Sequence, residues 1–476
     1  MCAGCSGGVL TGQGGNKKQG SLATRRRRNM KILFGIWGAG FLALVVGGAF
    51  AIYDVRASAG AVVLPAPAPV IATPAVAAVS PDAPTPDPTS LAAALDQAVS
   101  NPGLGDFAGS ITDPTTGTVL WSKDADRALI PASTTKILTA AAAMLVLPSD
   151  HRITTRVVEG SKPGEIVLIA GGDPTLSAMP PGEESFYPGG PRIADLAEQI
   201  RRSGTTVETV LVDTSLYSGD PLAPGWFPQD VGDGYVAPIE PVMLDGARSN
   251  PLEDESPRSA TPALDAGRAL ATALGADPAR VALGSASPGA APMASVQSAP
   301  LTVRLGQMLR RSDNVLAETI GREVAVATGN EHSFEGTTKA VTGTLQQAGL
   351  DVTGVTLRDV SGLSVENRIP ARTLDRVISE AAGPNRTELR PMLDYLPVAG
   401  ATGTLADRYG TTTRAGAGWV RAKTGTLTEV NGLTGYTVDS DGRVLSFALL
   451  SNGRSPSEAR PALDAVASVL RECGCR

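Results

Sequence analysis

The chain has 476 residues, with 41 basic against 47 acidic side chains and a net charge of −6, long enough for two or three domains and at least one well-buried core. Its first 53 residues hold Lys17, Lys18, Arg25, Arg26, Arg27, Arg28 and Lys31 and no acid, so the remainder carries 34 − 47 = −13 and repels phosphate backbones, which excludes nucleic acid as a partner. With His151 and His332 as its only histidines and no cysteine between Cys5 and Cys473, the body lacks the ligands of a histidine-rich zinc hydrolase and the nucleophile of a thiol peptidase, and a Ser-His-Asp triad would have only those two histidines to draw on.

Residues 1–31 read as a basic cytoplasmic tail. Ile32 to Tyr53 follow, 22 residues without a charge, and a helix of that length spans roughly 33 Å, one hydrocarbon core. Arginines before it and Asp54 after it put the N-terminus in the cytoplasm and the body outside, so the membrane is an expected partner through 32–53. A cleaved signal peptide ending near Ala57-Ser58-Ala59 is the competing reading, and it too exports the body. Residues 54–89 are a Pro/Ala-rich linker with no period.

Folded structure is expected from Ser90, a candidate N-cap ahead of Leu91, Leu95 and Val99. Phe107–Ile111 and Thr118–Trp121 predict a hairpin around Asp113-Pro114 and Gly117. Thr134–Leu147 predicts a helix that is apolar almost all round, as a helix buried in mid-domain is. Residues 149–300 change texture: short strand-like runs (153–158, 165–169, 207–212) alternate with Gly/Pro-rich loops and helices at 192–202 and 263–274. They read as one inserted domain or two small ones. Helical patterns return at 301–309, 315–327, 337–348 and 371–382. Val420–Val438 and Arg443–Leu450 predict two long strands joined at Asp441-Gly442, and Pro456–Leu470 a closing helix. The predicted class is α+β, with helices around an antiparallel sheet built from both ends of a body formed by 90–148 and 301–472. Cys473 and Cys475 could pair only across a one-residue spacer, a strained bridge, and no disulfide framework is expected.

Three short motifs carry chemistry. In Ser133-Thr134-Thr135-Lys136 the lysine lies three positions from the serine at the head of a buried helix, so its amine reaches the hydroxyl and burial lowers its pKa. Ser312-Asp313-Asn314 lies between two helices, where a hydroxyl relays a proton and an Asn side chain holds a substrate amide. Lys423-Thr424-Gly425-Thr426 opens a strand-like run, with a lysine and hydroxyls to meet a carboxylate and a glycine to let a ligand lie against the strand edge. Singly, each also reads as local structure: a capping serine with a surface lysine, an N-cap before Val315, a strand start. Together, in this order and setting, they read as a site.

The trio, with Gly171-Gly172-Asp173-Pro174-Thr175-Leu176, Tyr235-Val236-Ala237-Pro238, Asp359-Val360-Ser361-Gly362-Leu363-Ser364 and the run from Leu396, resembles the low-molecular-mass class C penicillin-binding proteins. These are D-Ala-D-Ala carboxypeptidases and endopeptidases with a penicillin-recognising (β-lactamase/transpeptidase-like) fold and an insert between the first and second motifs. Ser133 and Ser312 are 179 positions apart (312 − 133), which suits that insert. Met243-Leu244-Asp245-Gly246 departs from the family, which places asparagines there. The resemblance implies Ser133 as nucleophile, Lys136 as its base, Ser312 as proton relay, Asn314 orienting the peptide, Lys423 supplying charge, and Thr424 and Thr426 holding the terminal carboxylate beside Gly425. Backbone N–H groups of Ser133 and Thr426 would form the oxyanion hole. Peptidoglycan stem peptides are the implied substrate and β-lactams the implied inhibitors, with no metal and no organic cofactor. A serine β-lactamase, an esterase and a non-catalytic wall-binding protein are the alternatives. The Glu-x-x-x-Asn loop of class A β-lactamases does not occur between Ser312 and Lys423, where Glu366 and Asn367 are adjacent.

Overall fold

The computed structural model describes residues 82–410 and 412–476. The basic tail, the charge-free run and the linker up to residue 81 lie outside the described residues. Among the described residues no helix is long and apolar enough to cross a membrane.

The described chain opens with α1 (Pro88–Val99), capped by Asp87, whose Oδ1 accepts the Ser90 N–H at 2.8 Å. The cap is therefore not Ser90: Pro88 has no N–H to satisfy and its fixed φ suits the first helical position, so the helix starts three residues earlier. The hairpin β1 (Asp106–Asp113) and β2 (Thr118–Lys123) follows, then a 3-10 turn, Ala132–Thr135, and the buried helix α2 (Lys136–Val146). In the insert, β3 (Thr154–Glu159), β4 (Glu165–Ile169), α3 (Ile193–Arg202), β5 (Thr209–Asp213), α4 (Pro262–Leu274), β6 (Ala282–Leu283) and β7 (Pro292–Gln297) build a second sheet in the order β7-β3-β4-β5-β6. Helices α5 (Leu301–Arg311), α6 (Asn314–Ala327), α7 (Phe334–Gln347) and α8 (Ala371–Ala382) return to the first body.

From Arg421 onward three strands form, not two: β8 (Arg421–Leu427), β9 (Val430–Val438) and β10 (Val444–Asn452), before α9 (Pro456–Glu472). The chain reverses between Leu427 and Val430 with Glu429 at φ 55°, a turn made without Gly, Asn or Pro and so without a sequence signal. Cys473 and Cys475 at the end of α9 are paired with each other, a pairing the sequence left open.

The central sheet runs β8-β9-β10-β1-β2 with every pairing antiparallel, so strands from the two ends of the body meet where Phe107 faces Ser451. Alternation gives it two apolar faces. Phe107, Ile111, Leu433, Phe447 and Leu449 pack on Leu91 and Leu95 of α1 and Leu463, Val466 and Leu470 of α9. Ala108, Ala448 and Leu450 face a helical cluster drawn from α2, α5, α6, α7 and α8. This is the expected α+β arrangement. A smaller cluster, including Trp226, Val236 and Met243 of the insert with Val315, Phe334 and Leu363, packs insert against body beside the second motif.

One buried carboxylate ties α8 to the sheet. Asp375 accepts hydroxyl hydrogens from Ser110 (2.6 Å), Thr112 (2.7 Å) and Ser446 (2.6 Å), while burial holds its pKa above the usual carboxylate range. Asp375→Ala leaves three buried hydroxyls without their acceptor. Urea unfolding is expected to show a loss on the order of 3 kcal/mol, and a loss under about 0.5 kcal/mol, the size of an ordinary surface change, would refute the role of this network.

Candidate active site

The nucleophile candidate stands in a turn, not in a helix. Ser133 lies in the 3-10 turn before α2, preceded by Ala132 at φ 48°, a conformation that L-residues adopt only where the surroundings enforce it. The enforcement is visible. The Thr134 and Thr135 hydroxyls donate back to the carbonyls of Pro131 (2.7 Å) and Ala132 (2.9 Å). Gly362 packs so tightly that a Cβ there would lie 1.9 Å from the Ala132 carbonyl oxygen.

Lys136 is fully buried, and its amine meets three acceptors: Ser133 Oγ at 3.0 Å, Asn314 Oδ1 at 2.6 Å and the Ser361 carbonyl at 2.7 Å. Burial lowers its pKa, Asp359, Asp313 and Glu318 oppose that, and the balance leaves it pushed down to about 8. A neutral amine has two N–H bonds and one lone pair. The two shorter contacts take the hydrogens, and the lone pair is left for the Ser133 hydroxyl, which makes Lys136 a base for that proton. The carboxylate of Glu318, itself raised to about 7 by burial and by Asp359, accepts the N–H groups of Val360 (3.0 Å) and Ser361 (2.7 Å) and so sets the carbonyl that Lys136 uses.

Ser312 ends α5 in the left-handed region (φ 63°), and its Oγ accepts from Lys423 Nζ at 2.8 Å. Asp313 is the N-cap of α6, taking the Leu316 N–H at 2.9 Å, so the capping role and the motif are one feature. Its other oxygen is held by the insert, at 2.7 Å from the Tyr187 hydroxyl and 3.2 Å from Arg248 Nη2. Burial raises its pKa, but Arg248 and Arg258 overcome that and keep the carboxyl below the usual range. Arg248 in turn stacks 3.4 Å from the centre of the Phe186 ring. Asn314 Nδ2 donates to the Tyr235 carbonyl at 3.0 Å, in the Tyr-x-Ala-Pro stretch.

Lys423 is fully buried, its amine shared between Ser312 Oγ and the Thr424 carbonyl, both at 2.8 Å. Burial and the neighbouring Lys136 hold its pKa well below 10.5. The expectation that Gly425 makes room for a ligand does not hold. A Cβ there would meet the Pro131 carbonyl at 2.7 Å, so the glycine lets β8 approach the nucleophile turn. Ala422 N–H donates to Pro397 O at 3.0 Å, away from β9. N–H direction alternates along a strand, so those of Thr424 and Thr426 point to the same open edge, as an oxyanion donor at Thr426 requires.

A cleft of ≈ 310 Å³ brings together Ser133, Ser312, Thr424 and Thr426 with Thr404, Arg408 and Arg460. Of the predicted residues, Lys136 and Lys423 stand behind its wall through contacts to those serines, Asn314 stands behind Lys136, and Gly425 serves packing. Thr404, whose Oγ1 accepts from Thr424 Oγ1 at 2.7 Å, falls in the run from Leu396 noted above. Tyr187, Arg248, Arg408 and Arg460 belong to no motif.

The sequence profile of the D-Ala-D-Ala carboxypeptidase 3 (S13) family matches residues 91–255 and 247–473. The chain is 50% identical over 456 residues to carboxypeptidase DacB of Mycolicibacterium smegmatis, covering 95% of this chain and 99% of that protein. It is 52% identical over 415 residues to a carboxypeptidase of Mycobacterium tuberculosis, covering 86% and 90%. Among solved structures, penicillin binding protein 4 (dacB) from Haemophilus influenzae matches with a TM-score of 0.64 over 81% of this chain and 98% of that one, at 21% identity, a likeness of fold. The expected penicillin-recognising fold is therefore the fold of this chain.

Gly425→Ala tests the packing behind the site. The Cβ must push the Pro131–Ala132 turn and Ser133 with it, and a displacement of that order costs about 10²-fold in rate. Acylation by a labelled penicillin is expected to slow by roughly that factor with cooperative unfolding retained. An unchanged rate would show that the turn does not depend on the close approach of β8.

Proposed function

The chain belongs to the D-Ala-D-Ala carboxypeptidase 3 (S13) family and is a serine-type D-Ala-D-Ala carboxypeptidase; we propose that it cleaves the terminal bond of peptidoglycan stem peptides through an acyl-enzyme on Ser133. The observation that carries this assignment is the Lys136 amine, 3.0 Å from Ser133 Oγ with acceptors at Asn314 and Ser361 for both hydrogens of its neutral form. Neutral Lys136 takes the hydroxyl proton as Oγ attacks the carbonyl between the two D-alanines. The oxyanion is met by N–H groups of Ser133 and Thr426. As the C–N bond breaks, the proton that Lys136 took passes through the Ser312 hydroxyl, which Lys423 holds in place, to the leaving amine, and Lys136 is neutral again. Lys136 then takes a proton from the water that attacks the ester and passes it to Ser133 Oγ as the ester C–O bond breaks, and the shortened peptide leaves.

The same chemistry opens a β-lactam ring, so penicillins acylate Ser133. Among the described residues lining the cleft there is no carboxylate to activate water against the penicilloyl ester, and the opened antibiotic keeps its leaving group attached. This favours slow release over β-lactamase action. Mass mapping with a penicillin is expected to place one adduct on Ser133, with D-alanine released from D-Ala-D-Ala peptides and both lost in Ser133→Ala. An adduct elsewhere, or rapid penicillin hydrolysis without D-alanine release, would overturn the assignment.

Membrane tethering through 32–53 is proposed on the charge-free run and the arginines before it. Protease added to intact cells should cut the linker near residues 65–88, and protection until the membrane is breached would reverse the orientation.

A further inference from the structure

A substrate that ends in a carboxylate needs a cation at the cleft, and the expected one, Lys423, is buried and occupied by Ser312 and Thr424. Two guanidinium groups line the cleft instead. Arg408 is already neutralised, held in two-point contact with Asp464 (Nε–Oδ2 3.0 Å, Nη2–Oδ1 2.5 Å). Arg460, exposed in the second turn of α9, is different. Its Nη2 donates to Thr426 Oγ1 at 3.2 Å, and no ion-pair partner holds it among the described residues. Partial burial and the charge of Arg408 act against its own charge more than nearby Asp464 supports it, so the group gains when an anion arrives. Arg408, Arg460 and Asp464 sum to one net positive charge beside the hydroxyls of Thr424 and Thr426, in a body that is otherwise acidic. A planar guanidinium with free N–H bonds matches a carboxylate in two-point geometry.

We propose that Arg460 is a specificity-determining residue that binds the terminal carboxylate of the substrate against the Thr426 hydroxyl, and so selects peptides with a free C-terminus. This rests on the carboxypeptidase reading above. The test uses the full chain and four substrates: a D-Ala-D-Ala peptide as free acid and as C-terminal amide, and a penicillin as free acid and as methyl ester. In Arg460→Gln the acid-over-amide ratio of kcat/KM is expected to fall roughly 10-fold or more, the size of a charge-assisted contact, chiefly through KM. The penicillin acid-over-ester ratio of acylation rates should fall with it, and Arg460→Lys should restore part of both. Equal losses on acid and neutral forms, leaving the ratios intact, would mean a structural role and overturn the proposal, as would no loss on the acids. If the wild-type chain released no D-alanine from either peptide, the carboxypeptidase reading would fail, and the penicillin pair would still decide for or against Arg460.

Discussion

The site is organised by one buried nitrogen. An ammonium with no water around it is costly, and α2 offers none: Ile137, Leu138 and Ala140–Ala143 are fully buried, as is Lys136 itself. The fold answers by bringing acceptors from two distant segments to the same point, Asn314 from the head of α6 and the Ser361 carbonyl from a turn held by Glu318. These contacts keep a neutral amine satisfied, and they consume its hydrogens in a way that turns the lone pair toward Ser133. Stability and reactivity therefore come from the same geometry. The strain at Ala132, and the glycines at 362 and 425 that let two further segments close on the nucleophile turn, follow from packing so much chain around one atom.

The insert belongs to this arrangement. Tyr187 and Arg248 grip Asp313 between the two functional residues of the second motif, and burial raises the pKa of the Tyr187 phenol, so it stays a donor. Trp226 donates to Asp359 at 2.7 Å in the turn that presents Ser361, and the Tyr235 carbonyl receives Asn314. Each contact reaches a motif residue or its immediate support from behind. Removing one partner of such a buried charged set costs far more than an exposed pair would, because the survivor is left without compensation.

Much of this was legible in the sequence because it depends on local spacing. A serine and lysine three apart at the head of an apolar helix, a hydroxyl and an amide flanking a helix cap, and a lysine on a strand all state their chemistry within four residues. The sheet built from both ends followed from strand patterns at 107–121 and 420–450. The parts that were not legible are non-local or unsignalled. Tyr187 meets Asp313 across 126 positions, and nothing near Tyr187 announces it. The turn at Glu429 lacks a turn residue, so two strands read as one. Gly425 suggested room for a ligand, whereas its neighbour is the Pro131 carbonyl, a contact that only the tertiary fold creates.

Lys136 must be a neutral amine when Ser133 reacts, and its ionisation can be observed directly. Lysines labelled with ¹³C and ¹⁵N would be titrated by NMR, with the Lys136 signal assigned by its loss in Lys136→Arg. This signal is expected to titrate at about 8, the amine being neutral above that pH. A Lys136 that titrates at or above the ordinary 10.5 would be an ammonium at every working pH, and the base in this account would have to be another group.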